Sequence, residues 1–174
     1  CVTRDDIKEF RVFTDNVSVL LDVGSEIHPK VPREALNGRR IRVIVVGRLA
    51  FRKGLDMLFK ALLTIEDWNS KFEITIVGSG PQFQYFQDMA DNLGLYGINW
   101  LGSIPHSDVG THMDSSDLLV HTSIHEAGCA VVLEAFSRGL PVISHDAFGM
   151  AHEVDDKCGI KLSYIDPATS TLEL

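Results

Sequence analysis

The chain has 174 residues, of which 45% are hydrophobic and 23% charged, a size and composition that fit one globular α/β domain. Its formal net charge of −8 argues against nonspecific nucleic-acid binding, which needs a broad basic surface. The three cysteines are too few and too scattered for a disulfide framework or a zinc site, and no apolar run approaches the roughly 20 residues that cross a bilayer, so we expect a cytoplasmic protein.

The first part of the chain differs in character from the rest. Val17–Val23 predicts a short strand. Residues 24–40 carry glycine, proline, an Asn-Gly pair and several charges, a composition that is typical of a linker. An organised domain is therefore predicted to begin near Arg40.

Strands and helices alternate from residue 40 onward. Short apolar runs predict six strands, at Ile41–Val46, Phe72–Val77, Ile98–Leu101, Leu118–His121, Pro141–Ser144 and Gly159–Leu162. Helical spacing and capping residues, with Ser107 as one N-cap, predict helices at Leu55–Ile65, Pro81–Leu93, Ser107–Met113 and Ala130–Arg138. This alternation is typical of a doubly wound parallel sheet, whose ligands bind beyond the carboxyl ends of the strands.

The segment after the first strand, Gly47-Arg48-Leu-Ala-Phe-Arg-Lys53-Gly54, suits an anion. Its glycines permit tight turns and a close approach of the backbone. Arg48 offers a planar fork for phosphate oxygens, and Lys53 offers a point charge. A solvated basic loop is an equally good interpretation of this segment taken alone.

Two other patterns invite interpretations that the sequence disfavours. Gly78-Ser-Gly80-Pro81 begins like a dinucleotide fingerprint, but Phe83 stands at the third glycine position and no acidic residue ends the next strand. A structural turn is the favoured interpretation there. His121 and His125 have a metal-binding spacing only if they lie on a helix, whereas they straddle a strand end and a loop, so no metal site is predicted.

The most informative stretch is Thr122–Pro141, TSIHEAGCAVVLEAFSRGLP, which places Glu126 and Glu134 at Glu-x7-Glu spacing. Backbone N–H groups at the start of the intervening helix can face a diphosphate, and the carboxylates can accept hydrogen bonds from sugar hydroxyls. Glu134 lies in an apolar helix, where an unpartnered carboxylate is costly, so it is either functional or part of a buried ion pair. Cys129 is not expected to be a nucleophile, because no partner base can be identified.

Together, the Gly-Arg…Lys-Gly and Glu-x7-Glu segments resemble the group 1 glycosyltransferases, the family-4 retaining enzymes that have the GT-B fold. The resemblance covers about residues 17–174 and implies an α/β fold, the Rossmann-like half of a GT-B enzyme. It implies that residues 1–39 are a crossover segment and linker from an N-terminal domain absent from this chain. Residues 40–174 would be the nucleotide-sugar-binding domain, truncated at its C-terminus.

The resemblance also implies residue roles. Arg48 and Lys53 would hold the diphosphate and, with the sugar-binding Glu126, would be the catalytic residues. Glu134 would hold the ribose. The nucleotide-sugar would further contact Gly47, Gly78, Ile104, Pro105, Ala127, Gly128, Cys129, Ala130 and Val131. Cys129 occupies a position where the family has glycine. The approach of the backbone to the donor, and with it the donor preference, is therefore not implied by the resemblance. Asp146 and Glu153 receive no role.

The implied reaction transfers a hexose-type sugar from a nucleotide-sugar to an acceptor hydroxyl, with retained configuration and without a metal or other cofactor. A saccharide or lipid-linked acceptor would bind mainly to the N-terminal domain, and the full-length protein would associate peripherally with a membrane during polysaccharide assembly. The chain alone is expected to bind the donor and to turn over little. The alternatives are another GT-B enzyme, such as a nucleotide-sugar epimerase, and a non-catalytic α/β nucleotide-binding module.

Overall fold

The fold is built on a six-stranded parallel sheet, seen in a computed structural model that describes residues 28, 32, 35–126 and 128–174. The strand order is β3-β2-β1-β4-β5-β6, which confirms the predicted doubly wound sheet. The predicted strand Val17–Val23 lies outside the described residues. The six strands are β1 Ile41–Val46, β2 Phe72–Val77, β3 Asn99–Gly102, β4 Leu118–His121, β5 Val142–His145 and β6 Gly159–Leu162.

In the described part of the chain, six helices lie between these strands and a seventh follows β6. They are α1 Leu55–Thr64, α2 Trp68–Lys71, α3 Phe83–Asn92, α4 His106–Ser115, α5 Ala130–Ser137, α6 Met150–Glu153 and α7 Pro167–Glu173. A 3-10 turn at Phe51–Lys53 precedes α1. The longest helices have ten residues, and none among the described residues is long and apolar enough to cross a membrane.

The sheet separates two hydrophobic cores. Along β1, Val43 and Val45 pack into one core and Ile44 into the other, as the two-residue period of a strand requires. The first core holds Phe59 of α1 with residues of α3, and the second holds Val132 of α5 with residues of α4 and α6. Burial on both faces explains why β1 is a continuous apolar run rather than an alternating one.

Several predicted boundaries need correction. Helix α4 begins at His106, with Pro105 at its N-cap, so the prediction of Ser107 as the N-cap is wrong; the Ser107 hydroxyl instead donates to Asp108 at 3.0 Å. Helix α3 begins at Phe83 rather than Pro81, because the Gln82 amide donates to the Leu49 carbonyl at 3.1 Å. Strands β3 and β5 each begin one residue later than predicted; before β5, Pro141 has no N–H for the ladder.

Asp117 anchors the amino end of β4. Its side chain is 10% exposed and accepts two hydrogen bonds from the Arg39 guanidinium, at 2.6 and 2.8 Å. Arg42 adds its backbone amide at 2.9 Å and two side-chain donors at 3.1 and 3.2 Å. The hydrogen bond from Arg39, supported by those from Arg42, holds the pKa of Asp117 well below the usual 3.8, although burial opposes this.

We expect Asp117→Asn to lower the free energy of unfolding at pH 7 by about 2 kcal/mol, less than for a fully buried ion pair because both arginines are partly exposed. The pKa of Asp117 is lower in the folded state than in the unfolded state. The stabilisation of the folded state by the ionised Asp117 is therefore complete above about pH 5 and is lost as the pH falls. Urea unfolding between pH 7 and pH 3 measures this, with the exposed Asp91→Asn as control. If Asp117→Asn and the wild type lose stability in parallel on acidification, Asp117 is not the source of the pH dependence.

Candidate functional site

The candidate site lies beyond the carboxyl ends of β1 and β4, where the strand order changes direction. From β1 the chain moves outward to β2 and β3, and it then returns to β4 before continuing to β5 and β6. Open α/β sheets bind ligands in the crevice at such a switch point. The walls of the crevice are the β1 loop, residues 47–54, and the β4 loop, residues 122–129; within the latter, Ala127 is outside the described residues.

Hydrogen bonds hold the two loops together. The Thr122 hydroxyl donates to the Lys53 carbonyl at 2.8 Å, and the Ser123 hydroxyl donates to the Arg52 carbonyl at 3.1 Å. Gly54 has φ of 63°, and a Cβ atom at this position would lie 2.3 Å from the Thr122 carbonyl oxygen. Glycine is therefore required where the β1 loop passes the β4 loop, which fixes the crevice by local backbone geometry.

Lys53 and Glu126 form the charged centre of the crevice. The Lys53 ammonium donates a short hydrogen bond to Glu126 Oε1, the same oxygen that lies 2.8 Å from Arg52 Nη1 and 2.9 Å from the Ser123 hydroxyl. The Lys53 and Glu126 side chains are 14% and 13% exposed. Burial would raise the pKa of Glu126, but the hydrogen bond and charge of Lys53, with Ser123 and Arg52, lower it below the usual value. Two predicted site residues are thus brought into direct contact.

Arg48 and the neighbouring glycines form the rim of the β1 loop. Arg48 is exposed, and its guanidinium donates to no residue in the part of the chain that the structure describes. A Cβ atom at Gly47 would lie 3.5 Å from Lys53 Cε, and one at Gly78 would lie 2.0 Å from the Gly47 carbonyl oxygen. Arg48 is therefore a cation available to an anionic ligand, and Gly78 supports the loop that carries it.

The N-terminus of α5 contributes backbone donors. The Ala130 and Val131 amides lie in the first turn, and they donate to no acceptor among the described residues. The Cys129 amide, in contrast, donates to Glu153 Oε1 at 3.2 Å. Gly128 is half-buried beside it. Of the three residues at this helix start that the resemblance implies contact the nucleotide-sugar, Ala130 and Val131 have available amides, and the Cys129 amide is engaged by a carboxylate.

Glu134 lies one turn into α5, with its side chain 23% exposed. Its Oε1 atom is 2.8 Å from Nε2 of His106, an exposed residue in the first turn of α4. His106 directly follows Ile104 and Pro105, two residues that the resemblance implies contact the nucleotide-sugar. Sequence reasoning missed His106, because its contact with Glu134 spans 28 positions and has no local signal.

A buried thiol–imidazole pair lies beneath the crevice. Cys129 Sγ is 3.2 Å from His121 Nε2, so the expectation that Cys129 has no partner base is wrong. Burial, followed by the charge of Lys53, lowers the pKa of His121 to about 4. Burial raises the pKa of Cys129 to about 12. Both groups are neutral at pH 7, and this arrangement does not make a thiolate nucleophile.

The two histidines considered for a metal site are separated in the structure. His121 is buried against Cys129, whereas the His125 ring packs against Phe148, with the ring centroids 5.4 Å apart. Within the described ranges, no three His, Cys, Asp or Glu side chains are grouped so that they could hold a metal ion.

Comparison with known proteins places these features in a family. The model of the group 1 glycosyl transferases matches residues 28–160. The phosphatidylinositol N-acetylglucosaminyltransferase GPI3 subunit of Saccharomyces cerevisiae is 28% identical over 143 residues, which cover 78% of this chain and 32% of that protein. The lipopolysaccharide glucosyltransferase WaaG of Escherichia coli is 30% identical over 119 residues, which cover 67% of this chain and 31% of WaaG. The chain thus spans about a third of the length of these relatives.

Solved structures share the architecture. A crystal structure of WaaG aligns with a TM-score of 0.76 at 24% identity, covering 99% of this chain and 51% of that one. Sucrose-phosphate synthase of Thermosynechococcus elongatus aligns with a TM-score of 0.78 at 19% identity, covering 99% of this chain and 46% of that one. At these identities the likeness shows the fold, which is that of one Rossmann-like half of a GT-B enzyme.

Proposed function

Because this chain belongs to the group 1 glycosyltransferases, we propose that its crevice binds the nucleotide-sugar donor of a retaining enzyme. In the proposed reaction, a hexose-type sugar moves from a nucleoside diphosphate to an acceptor hydroxyl. The observation that carries the proposal is the contact between Lys53 and Glu126, two residues 73 positions apart that meet at the switch point of the sheet. Residues 40–174 are the donor-binding domain in this proposal, and residues 1–39 are the connection to an N-terminal domain.

The cationic side of the crevice suits the diphosphate. Arg48 and Lys53 are the two cations of the β1 loop that we assign to the diphosphate, whereas Arg52 pairs with Glu126; the Ala130 and Val131 amides add the positive end of α5. When the donor binds, Lys53 exchanges the Glu126 carboxylate for phosphate oxygens. These groups stabilise the negative charge that grows on the departing diphosphate, so the proposal assigns that role to the protein rather than to a metal ion or another cofactor.

The carboxylates suit the hydroxyl groups of the donor. Glu126 is held ionised by its neighbours, and a carboxylate accepts hydrogen bonds from sugar hydroxyls. Glu134 has the same capacity for the ribose, and its present partner, His106, is exposed and can move aside. In this proposal, the Ile104–Pro105 segment, which directly precedes His106, contacts the nucleotide base.

The acceptor in this proposal is a saccharide or a lipid-linked saccharide, bound mainly by the N-terminal domain. The support is the relatives' names, which specify phosphatidylinositol for the GPI3 subunits and lipopolysaccharide for WaaG. A lipid-linked acceptor would bring the whole protein to the cytoplasmic side of a membrane as a peripheral protein.

Calorimetric titration of the chain with UDP, GDP and ADP tests the donor site and identifies the base. We expect saturable binding of one of them, weakened about 10-fold by either Arg48→Ala or Glu134→Ala, since each removes a charged hydrogen-bonding partner. Arg40→Ala is the matched control, because Arg40 is an exposed arginine at the opposite end of β1 and should leave binding unchanged. If the folded wild type binds none of the three, or if Arg40→Ala and Arg48→Ala weaken binding equally, the proposed site is wrong.

A further inference from the structure

Glu153, the last residue of α6, reaches the N-terminus of α5. Its Oε1 atom accepts the Cys129 amide hydrogen bond at 3.2 Å. Helix α6 is held there because the Gly149 amide, at its N-cap, donates to the Glu126 carbonyl at 3.0 Å. A carboxylate from the β5 side of the sheet thus contacts the β4 loop, which forms one wall of the crevice.

Two carboxylates from different elements therefore act on Cys129: Glu153 accepts its amide hydrogen bond, and Glu126 lies three positions earlier in the β4 loop. Burial is the main cause of the raised pKa of the Cys129 thiol; a hydrogen bond from the Val132 amide and the charge of Lys53 oppose the rise, while the negative charges of Glu126 and Glu153 add to it. Both carboxylates are thus close enough to act on the same residue. A diphosphate placed here would be repelled by Glu153, since like charges at contact distance disfavour each other.

Two parts of the crevice wall therefore differ in the kind of ligand group that they suit. The available donors for an anion are Arg48 and the Ala130 and Val131 amides, which have no acceptor among the described residues. At Cys129, in contrast, the amide donor is paired with the Glu153 carboxylate. A hydroxyl group is the ligand that matches such a pair, because it can accept from the Cys129 amide while it donates to the Glu153 carboxylate.

We propose that Glu153 and the Cys129 amide bind one hydroxyl of the donor sugar, so that Glu153 is a second carboxylate of the sugar subsite beside Glu126. The inference rests on the proposed donor-binding function and deepens it. The hydroxyl inserts between amide and carboxylate and replaces one hydrogen bond by two. The sugar then lies over Cys129, and the diphosphate lies over Ala130 and Val131.

The test compares the affinity for a nucleoside diphosphate with that for its sugar forms. The probes are UDP and its glucose, galactose and N-acetylglucosamine forms, or the matching set for whichever base the wild type binds. We expect Glu153→Gln to weaken binding of the preferred nucleotide-sugar by about 10-fold, the worth of a hydrogen bond to a charged group, and to leave diphosphate binding within about 2-fold. Asp156→Asn removes an exposed acid three positions away and should change neither affinity.

Deoxygenated sugar nucleotides identify the hydroxyl. For one deoxygenated sugar nucleotide, we expect the wild type to bind as weakly as Glu153→Gln binds the unmodified nucleotide-sugar. Glu153→Gln should then bind this deoxygenated ligand no more weakly than the wild type does. If Glu153→Gln proves unstable in thermal unfolding, Glu153→Asp shortens the side chain, keeps the charge and should lose the same sugar discrimination.

Three results would overturn the inference. One is tighter binding of both diphosphate and nucleotide-sugar by Glu153→Gln, which would make Glu153 a competitor of the diphosphate. The second is an equal loss of affinity for the diphosphate and for the nucleotide-sugar. The third is that Glu153→Gln weakens the binding of every deoxygenated nucleotide-sugar as much as it weakens that of the unmodified one. Absence of nucleotide binding by the folded wild type is a different result, because it rejects the proposed function itself.

Discussion

Lys53→Met is expected to weaken nucleoside diphosphate binding by about 30-fold, within the range for loss of a charge-assisted hydrogen bond. Lys53 is largely buried and is fixed against Glu126 at the centre of the crevice, so no other lysine can replace it. The substitution should also lower the free energy of unfolding by about 1–2 kcal/mol, because a largely buried carboxylate loses one partner but keeps Arg52 and Ser123. Calorimetry measures the first effect, and urea unfolding measures the second.

Two further variants separate charge from packing. Lys60→Met changes an exposed lysine of α1 that pairs with Asp56 one turn away, and it should cost less than about 0.5 kcal/mol and leave binding unchanged. Adding Glu126→Gln to Lys53→Met should restore most of the stability, because the uncompensated charge is removed, without restoring diphosphate binding. Equal effects of Lys53→Met and Lys60→Met would contradict the role given to Lys53.

Gly78→Ala is expected to lower the free energy of unfolding by about 3–4 kcal/mol, a large loss for the addition of one methyl group. Gly78 has φ of 128°, and the added Cβ atom would lie 2.0 Å from the Gly47 carbonyl oxygen, a backbone atom that cannot move alone. The Gly78 amide also donates to the Gly102 carbonyl at 2.7 Å, so the loops after β1, β2 and β3 would shift together. Diphosphate binding should weaken as well, because the displaced loop carries Arg48.

Gly97→Ala is the matched control for this substitution. Gly97 has φ of 100°, and a Cβ atom there would meet no described atom within 4 Å. Its cost is therefore backbone strain alone, about 1–2 kcal/mol. The difference between the two variants in the free energy of unfolding, from urea titration, measures the cost of the contact between the added methyl group at Gly78 and the β1 loop. Equal losses of unfolding free energy would mean that this contact is not tight.

Much of the fold is predictable because it is encoded locally. The run Ile41–Val46 is apolar at nearly every position, and the two cores on either side of β1 are the reason. The short helix Met150–Glu153 was not predicted, because a single turn shows no periodicity. Helix α7, in contrast, has a local signal in the sequence: Asp166 caps it by accepting from the Ala168 and Thr169 amides, and Pro167 occupies the first turn.

The site was predictable only where its residues form a motif along the chain. Arg48, Lys53, Glu126 and Glu134 stand in such motifs, and their elements meet at the switch point of the sheet. The partners that pair with the motif residues were not predictable, because those contacts depend on the tertiary fold. His106 lies beside Glu134 and Glu153 on the Cys129 amide, each brought there by the order of strands in the sheet, whereas His121 meets Cys129, eight positions away, through the fold of the β4 loop.

The most direct test of the donor site is an NMR titration of the ¹⁵N-labelled chain with the nucleoside diphosphate that it binds. We expect the largest saturable shifts at the amides of Ala130 and Val131 and within residues 47–54, since these groups line the cationic side of the crevice. Saturable shifts centred on Arg39 and Asp117, at the opposite edge of the sheet, would place the nucleotide elsewhere and contradict the proposed site.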